Sequence, residues 1–446
     1  MHQHRGGKPM YRHSNNWRYY TTAILPLVAL AAPAQAQQSD EMAALEERLE
    51  RVEQELEDAE GDELPWDQYI SELGGRVQLD QTFNLDASDD LEDVISDPLE
   101  DGAEFRRLRL YVEGAVAPWL DYKVQLDFAG GTELQDVYFK IHDLGAFPTT
   151  KIGNFKQPVS LQELTSSKYI TLMSRSMLTD FFSPGHRTGI QFSKSFADER
   201  FNIAAGAFNS NFDSGEAETT GITSKGQWDI SARITTPVIY RNDGRQVLHL
   251  GGSYLHRSYE DELEFGLEPE VHKTDDFVAG TILDVEHSNS FGLELAGVLG
   301  PAHLQGEYAQ MDISRTTGKD PDVDSWYVQG GVFLTGEIRP YDKGDGDFGR
   351  VKPNSPFTGL GTGPGAWELA ARYSTIDFTD VQDLAPAGFT PAFGTAEQAA
   401  SEVDVYTLGL NWYPVAHARW MLNVVQADQD ALGDATYITT RFQVDF

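Results

Sequence analysis

The chain has 446 residues, no Cys and 41 Gly, with 70 acidic against 34 basic residues and a net charge of -36. Without Cys there are no disulfide staples, thiol nucleophiles or thiolate metal sites. A field of this sign repels nucleic acid, and after the N-terminus no run of about 18 uncharged apolar residues offers a membrane-spanning helix.

Residues 1–36 read as a secretory signal peptide. Arg5, Lys8, Arg12 and Arg18 supply positive charge, and the segment holds no acid. A mostly apolar stretch from Tyr19 to Ala32 follows, and Ala34-Gln35-Ala36 places small residues where a signal peptidase cuts. The mature chain is expected to begin at Gln37 and to be exported. Residues 37–64 come next. Met42, Leu45, Leu49, Val52 and Leu56 are spaced 3, 4, 3, 4, the seam of a short coiled coil. The segment also holds 12 acids and 2 bases, so it reads equally as an acidic linker that is helical part of the time. Pro65 and Trp66 mark the boundary with a third region, 65–446.

From Ile70 onward the dominant period is two. Leu120, Tyr122, Val124, Leu126 and Phe128 fall on one face; Asp121, Lys123, Gln125 and Asp127 fall on the other. Trp228 to Ile234 and Trp367 to Tyr373 alternate in the same way. About sixteen such segments have the length that crosses a bilayer at barrel tilt. Tight turns are expected at Ala117 to Trp119, Gly145 to Pro148, Arg241 to Gly244, Gly300 to Ala302 and Tyr413-Pro414. Longer connections alternate with them, at 84–104, 156–186, 209–226, 258–290 and 375–403. Short turns on one rim and long loops on the other fit an all-β, transmembrane antiparallel barrel. Segment 335–365 breaks this rule, because by parity it should be a short turn. Soluble sandwiches and propellers also alternate. They do not usually close on a terminal aromatic after alternating apolar residues, as Ile438, Phe442, Val444 and Phe446 do. The expected place is therefore the Gram-negative outer membrane, in contact with its lipid.

The polar member of each alternation should face the lumen. That gives a mixed set including Arg107, Arg109, Lys123, Lys140, Arg233, Arg257, Arg372, Arg419 and Arg441, with Glu113, Asp127, Asp136, Glu294, Glu307 and Glu368. Cationic walls enrich anions in a narrow channel, and Arg can fork two donors onto an oxyanion. Taken singly, each charge reads first as a solvated wall residue. The connection 156–186 is too long for a hairpin. It is either an inward-folded constriction, with Lys156, Lys168, Arg175 and Arg187 as its cations, or an ordinary external loop.

Several runs resemble the phosphate-selective porin O/P family. They include Gly153-Asn-Phe-Lys-Gln-Pro158, Glu163-Leu-Thr-Ser-Ser-Lys168, Ser183-Pro-Gly-His-Arg-Thr-Gly189 and Phe291-Gly-Leu-Glu-Leu-Ala-Gly-Val298. Arg339-Pro-Tyr341, Phe348-Gly-Arg-Val-Lys-Pro353 and Trp367-Glu-Leu-Ala-Ala-Arg-Tyr-Ser374 continue the likeness in the same order. The resemblance implies a homotrimer of sixteen-stranded barrels, each passing small inorganic anions such as phosphate or polyphosphate along lumen arginines. Phe105-Arg-Arg-Leu-Arg-Leu110 resembles the arginine-bearing second strand of that family, so Arg106, Arg107 and Arg109 are the first candidates for oxyanion contact. Strict alternation puts only Arg107 and Arg109 on the lumen face. Arg233, Arg257 and Lys156 come next.

Charge argues the other way. Between 65 and 446 there are 58 acids against 28 bases, an excess of 30. A general or cation-preferring porin on the same scaffold is the alternative. A barrel enzyme is a lower one, since His249, His256, His272 and His287 have no nucleophile elbow beside them. No cofactor motif is present. Asp342, Asp345 and Asp347 lack the spacing and closing Glu of an EF-hand, so no metal is assigned.

Overall fold

The computed structural model describes residues 69–95, 101–209, 221–222 and 228–446. The signal peptide and the acidic segment 37–64 lie outside the described residues. Sixteen antiparallel strands close into one barrel. The first seven are β1 (Glu72–Ala87), β2 (Gly102–Ala117), β3 (Leu120–Asp127), β4 (Glu133–Ile141), β5 (Thr149–Lys156), β6 (His186–Phe196) and β7 (Phe201–Asn209). Five more follow: β8 (Trp228–Arg241), β9 (Gln246–Ser258), β10 (Val285–Leu299), β11 (Ala302–Arg315) and β12 (Asp322–Phe333). The last are β13 (Ala366–Asp377), β14 (Val403–Val415), β15 (Ala418–Gln429) and β16 (Gly433–Asp445). β16 pairs with β1, and Phe446 completes the seam by exchanging backbone hydrogen bonds with Gly75 (2.9 and 3.1 Å).

Alternation explains the wall. Leu110, Val124, Phe139, Ile152, Ile203, Leu293, Leu304, Val328, Leu369 and Leu408 are exposed on the outside, while Arg107, Gln125, Gln135, Gln305, Gln329 and Asn423 are buried inside. A continuous apolar exterior of this extent is matched by lipid rather than by water. Tyr413-Pro414 is not a turn. It lies in β14 beside a break in register between Trp412 and Val415, and the chain reverses at Ala416-His417. A bulge tolerates the missing proline donor.

Part of the negative charge sits on the outward parity near the long-loop rim. In the strand register Asp312 faces Asp322, Asp324 faces Asp377, and Asp428 faces both Asp404 and Asp434. These acids share their side of the wall with Trp326, Tyr373 and Tyr406, not with the lumen.

Three connections fold into or over the barrel. The connection 157–185, here the inward loop, carries two short helices, Leu161–Leu164 and Met177–Phe182. Its backbone is tied to the wall by side chains from far along the chain. Glu307 accepts from the Leu161 and Gln162 N–H groups (2.9 and 2.8 Å), Arg419 donates to the Ile170 and Thr171 carbonyls (2.6 and 2.8 Å), and Arg441 donates to Met173 (2.7 Å). Arg372 takes the Ser174 and Arg175 carbonyls (3.0 and 3.2 Å). The external-loop reading of 156–186 is therefore replaced by an inward one.

The connection 259–284, here the strap, contributes Glu262–Leu267 and Val278–Leu283 to a four-stranded sheet with Gly221–Ile222 and Phe389–Pro391. This sheet and the Met177–Phe182 helix share an apolar core in which Phe265 stacks on Phe378 (4.8 Å) and Phe181 meets both edge-on.

The connection 334–365 resolves the parity exception. It rises from the short-turn rim as a plug built on the hairpin Tyr341–Asp342 and Asp347–Phe348. Tyr341 and Phe348 pack with Leu161 of the inward loop, Val247, Ala296 and Val298. Tyr341 Oη lies 2.7 Å from His249, and Arg339 donates to Gln305 (2.8 Å) with its guanidinium over the Phe348 ring. The Asp342 to Asp347 stretch forms the hairpin turn, with Asp342 accepting from the Gly344 and Asp345 N–H groups (2.7 and 3.1 Å).

Candidate functional site: a basic passage along one side of the lumen

The inward loop and the plug lie against β7 to β16. What they leave is a cavity of about 760 Å³ along β1 to β5, closed by the face of the inward loop. Its wall includes Arg106, Arg107, Arg109, Lys156, Lys168, Arg175, Arg187 and Arg257, eight of the nine cations singled out from the sequence. Arg76 and Lys123 join them, making ten Arg and Lys against seven Asp and Glu on the same wall. The passage is thus locally positive in a chain that is strongly negative overall.

A β-bulge brings Arg106 inside. Gln78 pairs with Arg107 and Leu79 with Phe105, so Arg106 is the extra residue of β2 and escapes the alternation that would have turned it outward. Arg107 and Arg109 follow on the inward parity. Directly opposite Arg109 stands Arg76 of β1. Like charges placed opposite one another across a ladder cost stability, and an anion between them relieves that cost.

Five of the seven carboxylates in the wall have named partners. Asp127 pairs with Arg109 (2.5 Å), Glu113 and Asp136 with Lys123 (3.2 and 3.9 Å), and Glu104 with His272 (2.8 Å). Glu163 lies between Lys156 and Arg175 (2.9 Å each). Burial opposes its ionisation, but those two cations outweigh it and hold the carboxyl at about 2. Three cations have neutral contacts instead. Arg76 donates to Ser167 Oγ (2.5 Å), Arg107 donates to Gln78 (3.1 Å), and Lys168 sits over the Tyr111 and Tyr169 rings (5.7 and 5.5 Å). Arg107 Nε is buried without a hydrogen-bond partner among the described residues. Together these three leave donor capacity directed at one stretch of the passage.

Burial, then the charge of Arg76, pulls the Lys168 ammonium down to about 8. Lys168 is therefore charged below that pH and loses its charge above it. Anion preference should fall as pH rises through about 8. Lys168→Met should show the low value throughout, read as a reversal potential in a KCl gradient. A wild-type alkaline step that survives in the variant would assign it to another group.

Arg233 is the departure. Its guanidinium grips Glu294 with two bonds (2.8 Å each) and caps the Gly346 carbonyl of the plug (2.9 Å), away from the passage. Alternation had its parity right, but the plug occupies the space it faces. Arg372, Arg419 and Arg441 likewise hold the inward loop. Arg257 stays at the edge of the cavity, 3.5 Å from Asp229. Sequence reasoning missed Arg76, although Arg76, Gln78 and Asp80 alternate with Val77 and Leu79 and gave the signal.

Comparison with known proteins agrees with this architecture. An uncharacterized protein of Caulobacter vibrioides is 30% identical over 356 residues, covering 78% of this chain and 66% of that protein, so the chain spans just under two thirds of its relative. An anion-selective porin from Comamonas acidovorans has a similar fold at 13% identity, with a TM-score of 0.52 over 84% of this chain and 99% of that one. A loop-deletion mutant of OmpT, an outer membrane protein of Vibrio cholerae, matches at 11% identity and a TM-score of 0.49, over 84% and 98% of the two chains. The family model for phosphate-selective porins O and P matches residues 72–446, from the first barrel strand to the last residue. The chain belongs to the phosphate-selective porin O and P family, whose place is the outer membrane.

Proposed function

We propose that the protein is a passive outer-membrane channel for small oxyanions, inorganic phosphate or polyphosphate among them, and not an enzyme. The observation that carries this reading is the segregation of charge. Aspartates face one another on the outward parity, while ten Arg and Lys, Arg76, Arg106, Arg107, Arg109 and Lys168 among them, outnumber seven acids on the passage wall. Fixed positive charge in a narrow, low-dielectric lumen enriches anions, and guanidinium groups with spare donors favour oxyanions over halides. The protein is exported through a signal peptide cleaved after Ala36 and works as a homotrimer with one passage per barrel.

The seven wall carboxylates favour a second reading, a general or cation-preferring pore. One experiment separates the two. Purified protein in a planar bilayer with a KCl gradient should give a reversal potential of the anion-selective sign, and added phosphate should reduce the chloride current. A cation-selective sign without phosphate block would establish the second reading.

A further inference from the structure

The long-loop mouth of the passage is built by two segments that enter separately. The strap is fixed at two neighbouring positions in its middle. Glu270 pairs with Arg372 of β13 and accepts from Ser374. Two residues on, His272 Nδ1 lies 2.8 Å from Glu104 Oε1 of β2. Asp180 belongs to the inward loop and lines the same cavity as Glu104, Arg106 and His272. Its helix cannot easily shift, because Met177, Leu178, Phe181 and Phe182 are buried in the core beside it. Arg106, delivered by the bulge, is common to the surroundings of both groups.

We propose that His272 and Asp180 form a proton sensor at this mouth, so that proton uptake at each adds positive charge beside Arg106 and strengthens the preference for anions. The inference rests on the anion-pathway reading above and assigns its regulation. The charged groups that face the pair come from three elements. β2 presents Glu104, Arg106 and Arg107, with Asp80 and Arg441 behind Arg106. The inward loop presents Glu163 and Arg175; the strap presents Glu268 and Glu270.

Most of these do not change charge in mild acid. The guanidiniums stay protonated. Glu163 is held low by its two cations; burial lifts Glu268, but that residue is not in the cavity wall. Glu270 is locked to Arg372. Burial lifts Asp180 to about 6, whereas burial and the charge of Arg106 lower His272. Burial and the charge of Asp275 lift Asp276 to about 7, but that residue is not in the cavity wall. On acidification Asp180 loses its anion, and His272, whose proton uptake burial and Arg106 delay, becomes a cation. Both changes have the same sign.

The test uses full-length protein in planar bilayers, with chloride as the probe because phosphate itself titrates in this range. Reversal potentials in a KCl gradient are measured between about pH 5 and about pH 7, below the range in which Lys168 loses its charge. The wild type should show a chloride-to-potassium permeability ratio several-fold higher at the acid end. Asp180→Asn should already have a raised ratio at the neutral end and a smaller step. His272→Asn should lose the other part, and the double variant should be flat. A wild-type ratio without a step, or a step that persists in the double variant, overturns the sensor. If Asp180→Asn fails to insert, His272→Asn alone must still shrink the step. A cation-preferring channel whose potassium preference weakens on acidification, in the wild type only, keeps the sensor and removes the pathway reading. An anion-preferring channel without the step does the reverse.

Discussion

Replacing Arg107 by Ala should weaken phosphate block of the chloride current by about 10–100-fold while leaving the barrel assembled. The magnitude follows from losing one charge-assisted contact, worth about 1.5–3 kcal/mol, at about 1.4 kcal/mol per tenfold. Arg107 is the sharpest choice because its protein contact is the neutral Gln78 and its Nε is buried without a partner among the described residues. Removing it leaves no carboxylate stranded. Arg109→Ala is less clean, since it would also release Asp127 (2.5 Å) into the wall and add a negative charge to the passage. Arg233→Ala is the control. It should destabilise the plug by stranding Glu294 and leave phosphate block within a few-fold of wild type. The dose dependence of block in single channels checks all three. Equal block in wild type and Arg107→Ala would remove that residue from the anion path.

The largest effect on structure is expected at Arg372. This one guanidinium pairs with Glu270 of the strap and caps two carbonyls of the inward loop. Arg372→Met should destabilise by about 3–5 kcal/mol, the usual cost of leaving a buried charge without its partner. Both inward segments lose one of their ties at once, so conductance should rise and become noisy. Replacing Glu270 as well, in Arg372→Met with Glu270→Met, should recover much of the stability, because exchanging a buried pair for apolar residues of similar volume is often neutral. The carbonyls of Ser174 and Arg175 remain uncapped, so current noise should persist in the double variant. Denaturant unfolding in detergent and single-channel recording give the two readouts. A single variant as stable as wild type would mean that the loops are held elsewhere.

The barrel was legible in the sequence because each strand has two continuous environments, and both write themselves into one residue out of two. The strand count, the rim with short turns and the lumen parity of Arg107 and Arg109 all follow from that period. What escaped it was non-local. Arg106 faces inward only because β2 slips one residue against Gln78 and Leu79, and a slip is a property of a pair of strands. Tyr413-Pro414 looks like a turn, yet it sits in a strand beside a broken register. The inward course of 157–185 depends on arginines more than 190 positions later in the chain, such as Arg372, Arg419 and Arg441, meeting bare carbonyls. No local pattern announces such a meeting. For Arg233 the face was right and the neighbour was unknown, because the plug that fills its side of the lumen is an exception to the very rule that located the turns.

The plug and the inward loop also separate two properties that a simple barrel links. In a bare cylinder of strands the bore grows with strand number, so a narrower hole would require a different sheet. Here the hole is whatever two inserted segments from opposite rims decline to occupy, and the cylinder is only the frame. Residues 334–365 and 157–185 can therefore lengthen, shorten or change charge without disturbing a single strand register. Two proteins sharing this frame could differ widely in what they let through, and resemblance along the strands would report the frame while the inserts decide the cargo.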